Sequence, residues 1–129
     1  MKLFFDTNVL ISAILTPGHS FEVIKDSIKK HEVYYTDYLL KEIRETLQEK
    51  FNLSGRLTDS AINLIKRRFI KGVNAFEVES VCRDADDDPI LADCAMNTIE
   101  VLITGDKDLL PLKKWKGIHI IAPRDYWKL

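Results

Sequence analysis

Phe4-Phe5-Asp6-Thr7-Asn8-Val9-Leu10 is the stretch that says most about the fold, because a short apolar run ends on an acid, a hydroxyl and an amide. This pattern is typical of a buried strand that ends at Asp6. The same pattern returns where Val101–Thr104 runs into Gly105-Asp106. In parallel α/β sheets, binding sites form at the carboxyl ends of the strands. We therefore expect Asp6 and Asp106 to meet at one edge of a sheet.

Strand and helix patterns alternate along the rest of the chain. Apolar runs predict strands at Leu3–Phe5, Val33–Tyr35, Val101–Thr104 and His119–Ile121. Apolar spacing of three and four residues predicts helices at Asn8–Leu15, from Ser20 onward, along the stripe from Leu39 to Phe51, from a Thr58 cap to Phe69, and at Pro89–Asn97. This alternation predicts one α/β domain, residues 1–129, with a central and mainly parallel sheet flanked by helices.

Composition limits the class of protein. The chain has 129 residues, 46% of them hydrophobic, which is enough for one packed core. Its formal net charge of -1 argues against a protein whose whole surface binds nucleic acid by charge alone, although it allows a local basic groove. Cys82 and Cys94 form no metal-binding spacing and indicate reduced thiols. No apolar segment approaches the ~20 residues that cross a bilayer, so we expect a cytoplasmic protein with no membrane partner.

Acids at the ends of several elements suggest one shared metal site. Besides Asp6 and Asp106, Asp88 closes the dense acidic stretch Asp84–Asp88, and Glu42 lies early in its helix. Two carboxylates ~4 Å apart repel by about 4 kcal/mol at an effective dielectric of 20. A divalent cation relieves that repulsion, and oxygen-only ligands suit Mg²⁺ or Mn²⁺. Such ions activate water for attack on phosphodiesters, so no serine or cysteine nucleophile is required.

Four segments, in order and in spacing, resemble the acidic motifs of PIN-domain nucleases. They are Phe5–Leu10, Leu39–Ile43, Cys82–Asp88 and Thr104–Leu110. The resemblance covers essentially the whole chain and implies a PIN-like fold and metal-dependent cleavage of RNA, with Mg²⁺ or Mn²⁺ as cofactor. Many small members are toxins of VapC-like toxin–antitoxin pairs, inhibited by an antitoxin protein, and homodimers are a family expectation.

The same resemblance assigns roles to individual residues. It implies that metal binding and catalysis belong to Asp6, Glu42, Asp88 and Asp106. By the same likeness, Asn8 and Thr104 orient these acids through hydrogen bonds, and Asp108 supports the site.

The third motif leaves several acids in competition. Asp84, Asp86, Asp87 and Asp88 are adjacent candidates, and the family pattern favours Asp88. Asp93 lies farther along the same predicted helix. It either reaches the same cavity or occupies an exposed polar position, and both interpretations stay open.

Two basic segments are candidates for contact with RNA. Lys66, Arg67, Arg68 and Lys71 end a predicted helix, and Lys113-Lys114-Trp115-Lys116 places an aromatic ring among charges. Cations can bind phosphates and an indole can stack on a base. For the first group the alternative is that cations simply complement the dipole at a helix carboxyl end.

Two other functions compete with the nuclease. A haloacid-dehalogenase-type phosphatase also has a strand that ends in Asp-x-Asp, but Asn8 replaces the second acid here and removes the general acid of that chemistry. A PIN fold kept as a non-catalytic binding module would be favoured if one of the four acids were missing. All four are present, so the sequence favours an enzyme.

Overall fold

The computed structural model describes residues 1–75 and 88–129. Cys82 and three acids of the third motif, Asp84, Asp86 and Asp87, lie outside the described residues. The predictions that concern these four residues therefore stay predictions.

Helices and strands alternate through the described residues. The α-helices are α1 (Thr7–Leu15), α2 (His19–Lys30), α3 (Asp37–Glu49), α4 (Gly55–Arg68) and α5 (Asp88–Met96). The strands are β1 (Lys2–Phe5), β2 (Glu32–Tyr35), β3 (Ile70–Lys71), β4 (Val101–Ile103), β5 (Lys114–Trp115) and β6 (Ile118–Ile121). Short 3₁₀ helices span Leu110–Leu112 and Pro123–Lys128.

One sheet joins the six strands in the order β3-β2-β1-β4-β6-β5. Every pairing is parallel except that of β5 with β6. Apart from Lys2 at the start of β1, the side chains of the central strands β1 and β4 are buried, as expected for a parallel sheet covered on both faces. The expected α/β fold with a mainly parallel sheet flanked by helices is confirmed.

The strand register aligns the carboxyl ends of five strands. Phe5 pairs with Ile103, Ile103 pairs with Ile121, and Tyr35 on β2 pairs with Lys71 on β3. The residues that follow β1, β2 and β4, which are Asp6, Thr36 and Thr104, therefore emerge along one edge of the sheet. We call this edge the carboxyl edge.

Helix boundaries differ from the predictions where a cap was misread. Ser54, not Thr58, caps α4, because the Ser54 hydroxyl accepts a hydrogen bond from the amide of Leu57. Thr58 is instead buried inside α4 and donates its hydroxyl to the Ser54 carbonyl. The predicted apolar stripe also extends too far, since α3 ends at Glu49 and Phe51 is 51% exposed.

Two further observations concern the described residues as a whole. None of their helices has the length and apolar character needed to span a membrane. Cys94 is a free, buried thiol on α5, and burial raises its pKa well above the ordinary value.

Candidate active site

Asp6 is the central acid of the carboxyl edge. It follows β1 directly and caps α1, where its Oδ1 accepts a 2.8 Å hydrogen bond from the backbone amide of Thr7. Its side chain is only 4% exposed. Burial raises the pKa of Asp6, the hydrogen bonds from Thr104 and Thr7 lower it, and the neighbouring charge of Asp106 raises it again.

Thr104 connects two of the predicted acids. Its buried hydroxyl donates a 2.7 Å hydrogen bond to Asp6 Oδ2 and accepts a 3.0 Å bond from the backbone amide of Asp106. Asp106 Oδ1 in turn accepts a 2.7 Å bond from the amide of Asp108. In this arrangement Thr104 orients Asp6, and the backbone amide of Asp108 holds Asp106.

Glu42 approaches the same edge from α3. Its Oε1 accepts a 3.0 Å hydrogen bond from the hydroxyl of Thr7, the residue next to Asp6. Asn8 is exposed on α1, and its role in orienting the acids stays a prediction. Thr7 was missed as a site residue. The sequence signal for Thr7 is its position between Asp6, which caps α1, and the apolar residues of that helix.

Asp88 begins α5 and is 4% exposed. It lies next to Pro89 in the first turn, where negative charge interacts favourably with the helix dipole. Its role as the acid of the third motif stays a prediction.

Asp93 is also buried, at 3% exposure, so the interpretation as an exposed polar position is wrong. Thr36 Oγ1 donates a 2.6 Å hydrogen bond to its Oδ2, and the amide of Ala75 donates a 2.7 Å bond to its Oδ1. Burial raises the pKa of Asp93, and these two bonds lower it. Asp93 lines a cavity of about 420 Å³ together with Pro89 and residues of α3.

Within residues 1–75 and 88–129, no group of three or more His, Cys, Asp or Glu side chains is placed to hold a metal ion. The chemistry of the acids nevertheless fits a hard divalent cation. Asp6 and Asp106 bring two carboxylates together, and no lysine or arginine in the described ranges forms an ion pair with Asp6. A cation bound by carboxylate oxygens would remove that repulsion.

The sheet register separates the two basic segments. Lys71 on β3 pairs with Tyr35, so it lies at the carboxyl edge, two strands from β1. Trp115 pairs with Ile118, three residues before the carboxyl end of β6, which is a displacement of about 10 Å toward the opposite edge of the sheet. Arg67 and Arg68 are exposed in the last turn of α4, as the helix-dipole alternative also requires. Contact of any of these residues with RNA stays a prediction.

Comparisons with known proteins agree with this fold. The family model described as PIN domain matches residues 2–108. The uncharacterized protein MJ1680 of Methanocaldococcus jannaschii is 32% identical over 141 aligned residues, which cover 95% of this chain and 86% of that protein. The crystal structure of VapBC2 from Rickettsia felis, bound to a DNA fragment from their promoter, matches with a TM-score of 0.71 at 12% identity. That match covers 95% of this chain and 98% of the other, and it concerns the fold. The family match spans all the residues of the carboxyl edge described above, and the chain belongs to the PIN domain family.

Proposed function

We propose that this PIN-domain protein is a metal-dependent endoribonuclease that hydrolyses phosphodiester bonds in RNA. The observation that carries the proposal is the linkage of the acids at the carboxyl edge. Thr104 joins Asp6 to the backbone of Asp106, and Thr7 joins the amino end of α1 to Glu42. Hydroxyls that orient carboxylates in this way are characteristic of sites whose acids must be held in a fixed direction.

The four acids have distinct tasks in this proposal. Asp6, Asp88 and Asp106 would hold a divalent cation, and Glu42 would complete the negative lining of the site. Bound Mg²⁺ or Mn²⁺ would neutralise the carboxylates and promote loss of a proton from water. Asp6 must be deprotonated to act as a ligand, and the hydrogen bonds from Thr104 and Thr7 favour that charged form.

We further propose that the protein is the toxin of a toxin–antitoxin pair, cytoplasmic and homodimeric. The fold match to VapBC2 supports the toxin–antitoxin part of this proposal. A partner surface is available in a groove of about 520 Å³ between α1, α2 and α4, which we call the helical groove. The groove is lined mainly by Leu10, Ala13, Ile14, Phe21, Ile24, Ile28, Ala61, Leu64, Ile65 and Phe69.

Charge at the rim of the helical groove indicates the chemistry of its occupant. Lys25, Lys29 and Arg68 surround the apolar lining, and Phe21 and Leu64 are exposed large apolar side chains on its walls. An amphipathic segment with an apolar face flanked by acids would match both features. We propose that the antitoxin supplies such an acidic amphipathic helix.

The nuclease proposal is tested by cleavage of labelled single-stranded RNA. Purified protein is incubated with Mg²⁺, with Mn²⁺ and with EDTA, beside Asp6→Asn and the control Asp59→Asn. Asp59 is an exposed residue of α4 that pairs with Arg44, so its replacement tests the loss of a surface acid alone.

We expect wild type and Asp59→Asn to cleave RNA with either metal ion and to stop in EDTA, while Asp6→Asn is inactive. Equal metal-dependent cleavage by Asp6→Asn would contradict the assignment of the site. A folded protein that binds neither ion and cleaves no RNA would support the non-catalytic binding module instead.

A further inference from the structure

The carboxylate of Asp93 lies where three segments of the chain meet. Its Oδ2 accepts a 2.6 Å hydrogen bond from the hydroxyl of Thr36, which caps α3, and its Oδ1 accepts a 2.7 Å bond from the amide of Ala75. Asp93 itself belongs to α5. One buried side chain therefore ties α5 both to the amino end of α3 and to the chain that follows β3.

A second side chain, one residue beyond the end of α5, strengthens this connection. Asn97 lies four residues after Asp93, and its amide both accepts from the backbone amide of Val73 at 2.9 Å and donates to the Val73 carbonyl at 2.8 Å. Asn74 extends the contact to α3, where its Oδ1 accepts a 3.2 Å bond from the amide of Tyr38. The segment 73–75 is thus fastened to α5 and to α3 together.

These contacts decide where two of the proposed acids lie relative to each other. Asp88 is in the first turn of α5, five residues before Asp93, and Glu42 is on α3, six residues after Thr36. A short helix moves as a unit, so a bond that holds Asp93 against Thr36 also sets the distance from Asp88 to α3. A carboxylate receiving two hydrogen bonds forms the strong, charge-assisted kind of contact.

The alternative role of Asp93 is that of a fifth ligand for the metal ion. Both of its oxygens already accept hydrogen bonds from groups of the protein, and these donors follow β2 and β3 rather than β1 and β4, the strands that precede Asp6 and Asp106. Thr36 is fully buried, which makes this bond inaccessible to competing water. The contacts favour a role in holding the helices over a role in binding the ion.

We infer that Asp93 is a positioning residue that, through Thr36 and Ala75, holds α5 so that Asp88 faces the other acids of the site. This inference rests on the proposed nuclease function and identifies a residue outside its four acids. It also predicts which replacements of Asp93 are tolerated, because a positioning residue needs hydrogen bonds whereas a metal ligand needs negative charge.

The experiment compares Asp93→Asn with Asp93→Ala, and Thr36→Ser with Thr36→Val. Asparagine and serine keep groups able to form the hydrogen bonds, and alanine and valine remove them. Thr58→Val is the control, since Thr58 is equally buried and its hydroxyl also donates one hydrogen bond, but within α4. Each variant is assayed for kcat and KM on RNA, for Mn²⁺ affinity by calorimetry and for Tm.

We expect Asp93→Ala and Thr36→Val to lower kcat and Mn²⁺ affinity by about 10- to 100-fold, the usual effect of losing a group that orients ligands. Asp93→Asn and Thr36→Ser should recover most of both quantities, and Thr58→Val should change neither. The Asp93→Ala, Thr36→Val double variant should lose less than the sum of the two single losses, because both variants remove the bond between Asp93 and Thr36.

Three results would overturn the inference. If Asp93→Asn were as inactive as Asp88→Asn, Asp93 would be a ligand of the metal ion. A lower Tm with unchanged kcat and Mn²⁺ affinity would mean that Asp93 only stabilises the fold. A wild-type protein that binds no Mn²⁺ would mean that there is no metal site for Asp93 to position. Wild type that binds Mn²⁺ but cleaves no RNA would instead contradict the proposed function, and the affinities of the variants would still decide the role of Asp93.

Discussion

The hydroxyl of Thr104 donates a 2.7 Å hydrogen bond to Asp6 Oδ2 across 98 residues of sequence. The same oxygen accepts the amide of Asp106, so one threonine orients one acid and holds the backbone of another. Thr7 and Thr36 make corresponding bonds to Glu42 and Asp93. At the carboxyl edge, three threonine hydroxyls thus each bind a different carboxylate.

Replacement of Thr104 by valine is expected to lower kcat by about 10- to 100-fold, because Asp6 loses the donor that orients it. The shape of the side chain is kept, so Tm should fall only by the effect of losing the two hydrogen bonds that the Thr104 hydroxyl makes. Thr104→Ser restores the hydroxyl and should restore most of kcat. A valine variant with wild-type kcat would show that Asp6 needs no orienting partner. Steady-state cleavage of a short labelled RNA measures both variants.

Lys71 and Lys114 should differ in their effect on RNA binding. Lys71 pairs with the last residue of β2 at the carboxyl edge, whereas Lys114 lies farther from that edge, because it pairs with His119, two residues before the carboxyl end of β6. Lys71→Ala should raise KM. It should also reduce the slope of log K against log[salt] by about 0.7, the change expected when one phosphate contact on a single strand is lost. Lys114→Ala should leave both unchanged. Equal effects of the two replacements would contradict the register argument, and titration of labelled RNA at several salt concentrations measures them.

The pH dependence of stability should reveal the buried state of Asp93. Burial raises its pKa from the ordinary value of 3.8, so the folded protein binds this proton more tightly than the unfolded chain does. Its contribution to the free energy of unfolding is therefore present below pH 3.8 and is lost as pH rises through the folded pKa.

Asp93→Asn removes this titration, so the stability advantage of wild type over the variant should shrink as pH rises through that window. Asp37 and Lys41 line the same cavity and are unchanged in both proteins. Urea unfolding of the metal-free proteins at a series of pH values measures the difference. A difference in stability that does not vary with pH would mean that the pKa of Asp93 is not raised in the folded protein.

Gly72→Ala should weaken the contact between α5 and the chain after β3. A Cβ at position 72 would lie 2.6 Å from Asn97 Oδ1, and the Asn97 amide is held by both polar groups of Val73. We expect a loss of about 1–3 kcal/mol in the free energy of unfolding, as for other overpacked sites. In an Asn97→Ala background the same change should cost much less. Equal costs in both backgrounds would remove Asn97 as the cause, and denaturant unfolding provides the measurement.

Leu64→Asp should abolish binding of the proposed antitoxin. Leu64 is 49% exposed on the wall of the helical groove, so an acid there places charge in an apolar contact and repels an acidic partner. Cleavage of RNA by the variant alone should be unchanged. Leu57→Asp, at a similarly exposed leucine of α4 outside the groove lining, is the control.

The product of the gene next to this one is the partner to test by calorimetry. Tight binding of that product to Leu57→Asp but not to Leu64→Asp is the expected result. Equal binding to both would contradict the docking of the antitoxin in the helical groove.

Much of the fold was predictable because its signals are local. Apolar runs that stop at polar residues indicated four of the six strands, and helical spacing indicated all five described helices. The two missed strands, β3 and β5, have only two residues each, and such short edge strands exist through pairing with a neighbour. The cap of α4 was misread because Ser54 and Thr58 are equally good caps by residue type, and only the hydrogen bonds distinguish them.

The sequence by itself determined that Asp6 and Asp106 follow buried strands, since hydrophobic burial decides which short apolar runs become strands. It also selected Asp88 and Glu42 by their motifs. Only the tertiary structure decided what each carboxylate contacts: Thr104 for Asp6, Thr7 for Glu42, and Thr36 with Ala75 for Asp93. A hydrogen bond depends on the direction and distance of two groups, and here the packing of helices on the sheet sets both between residues far apart in the chain.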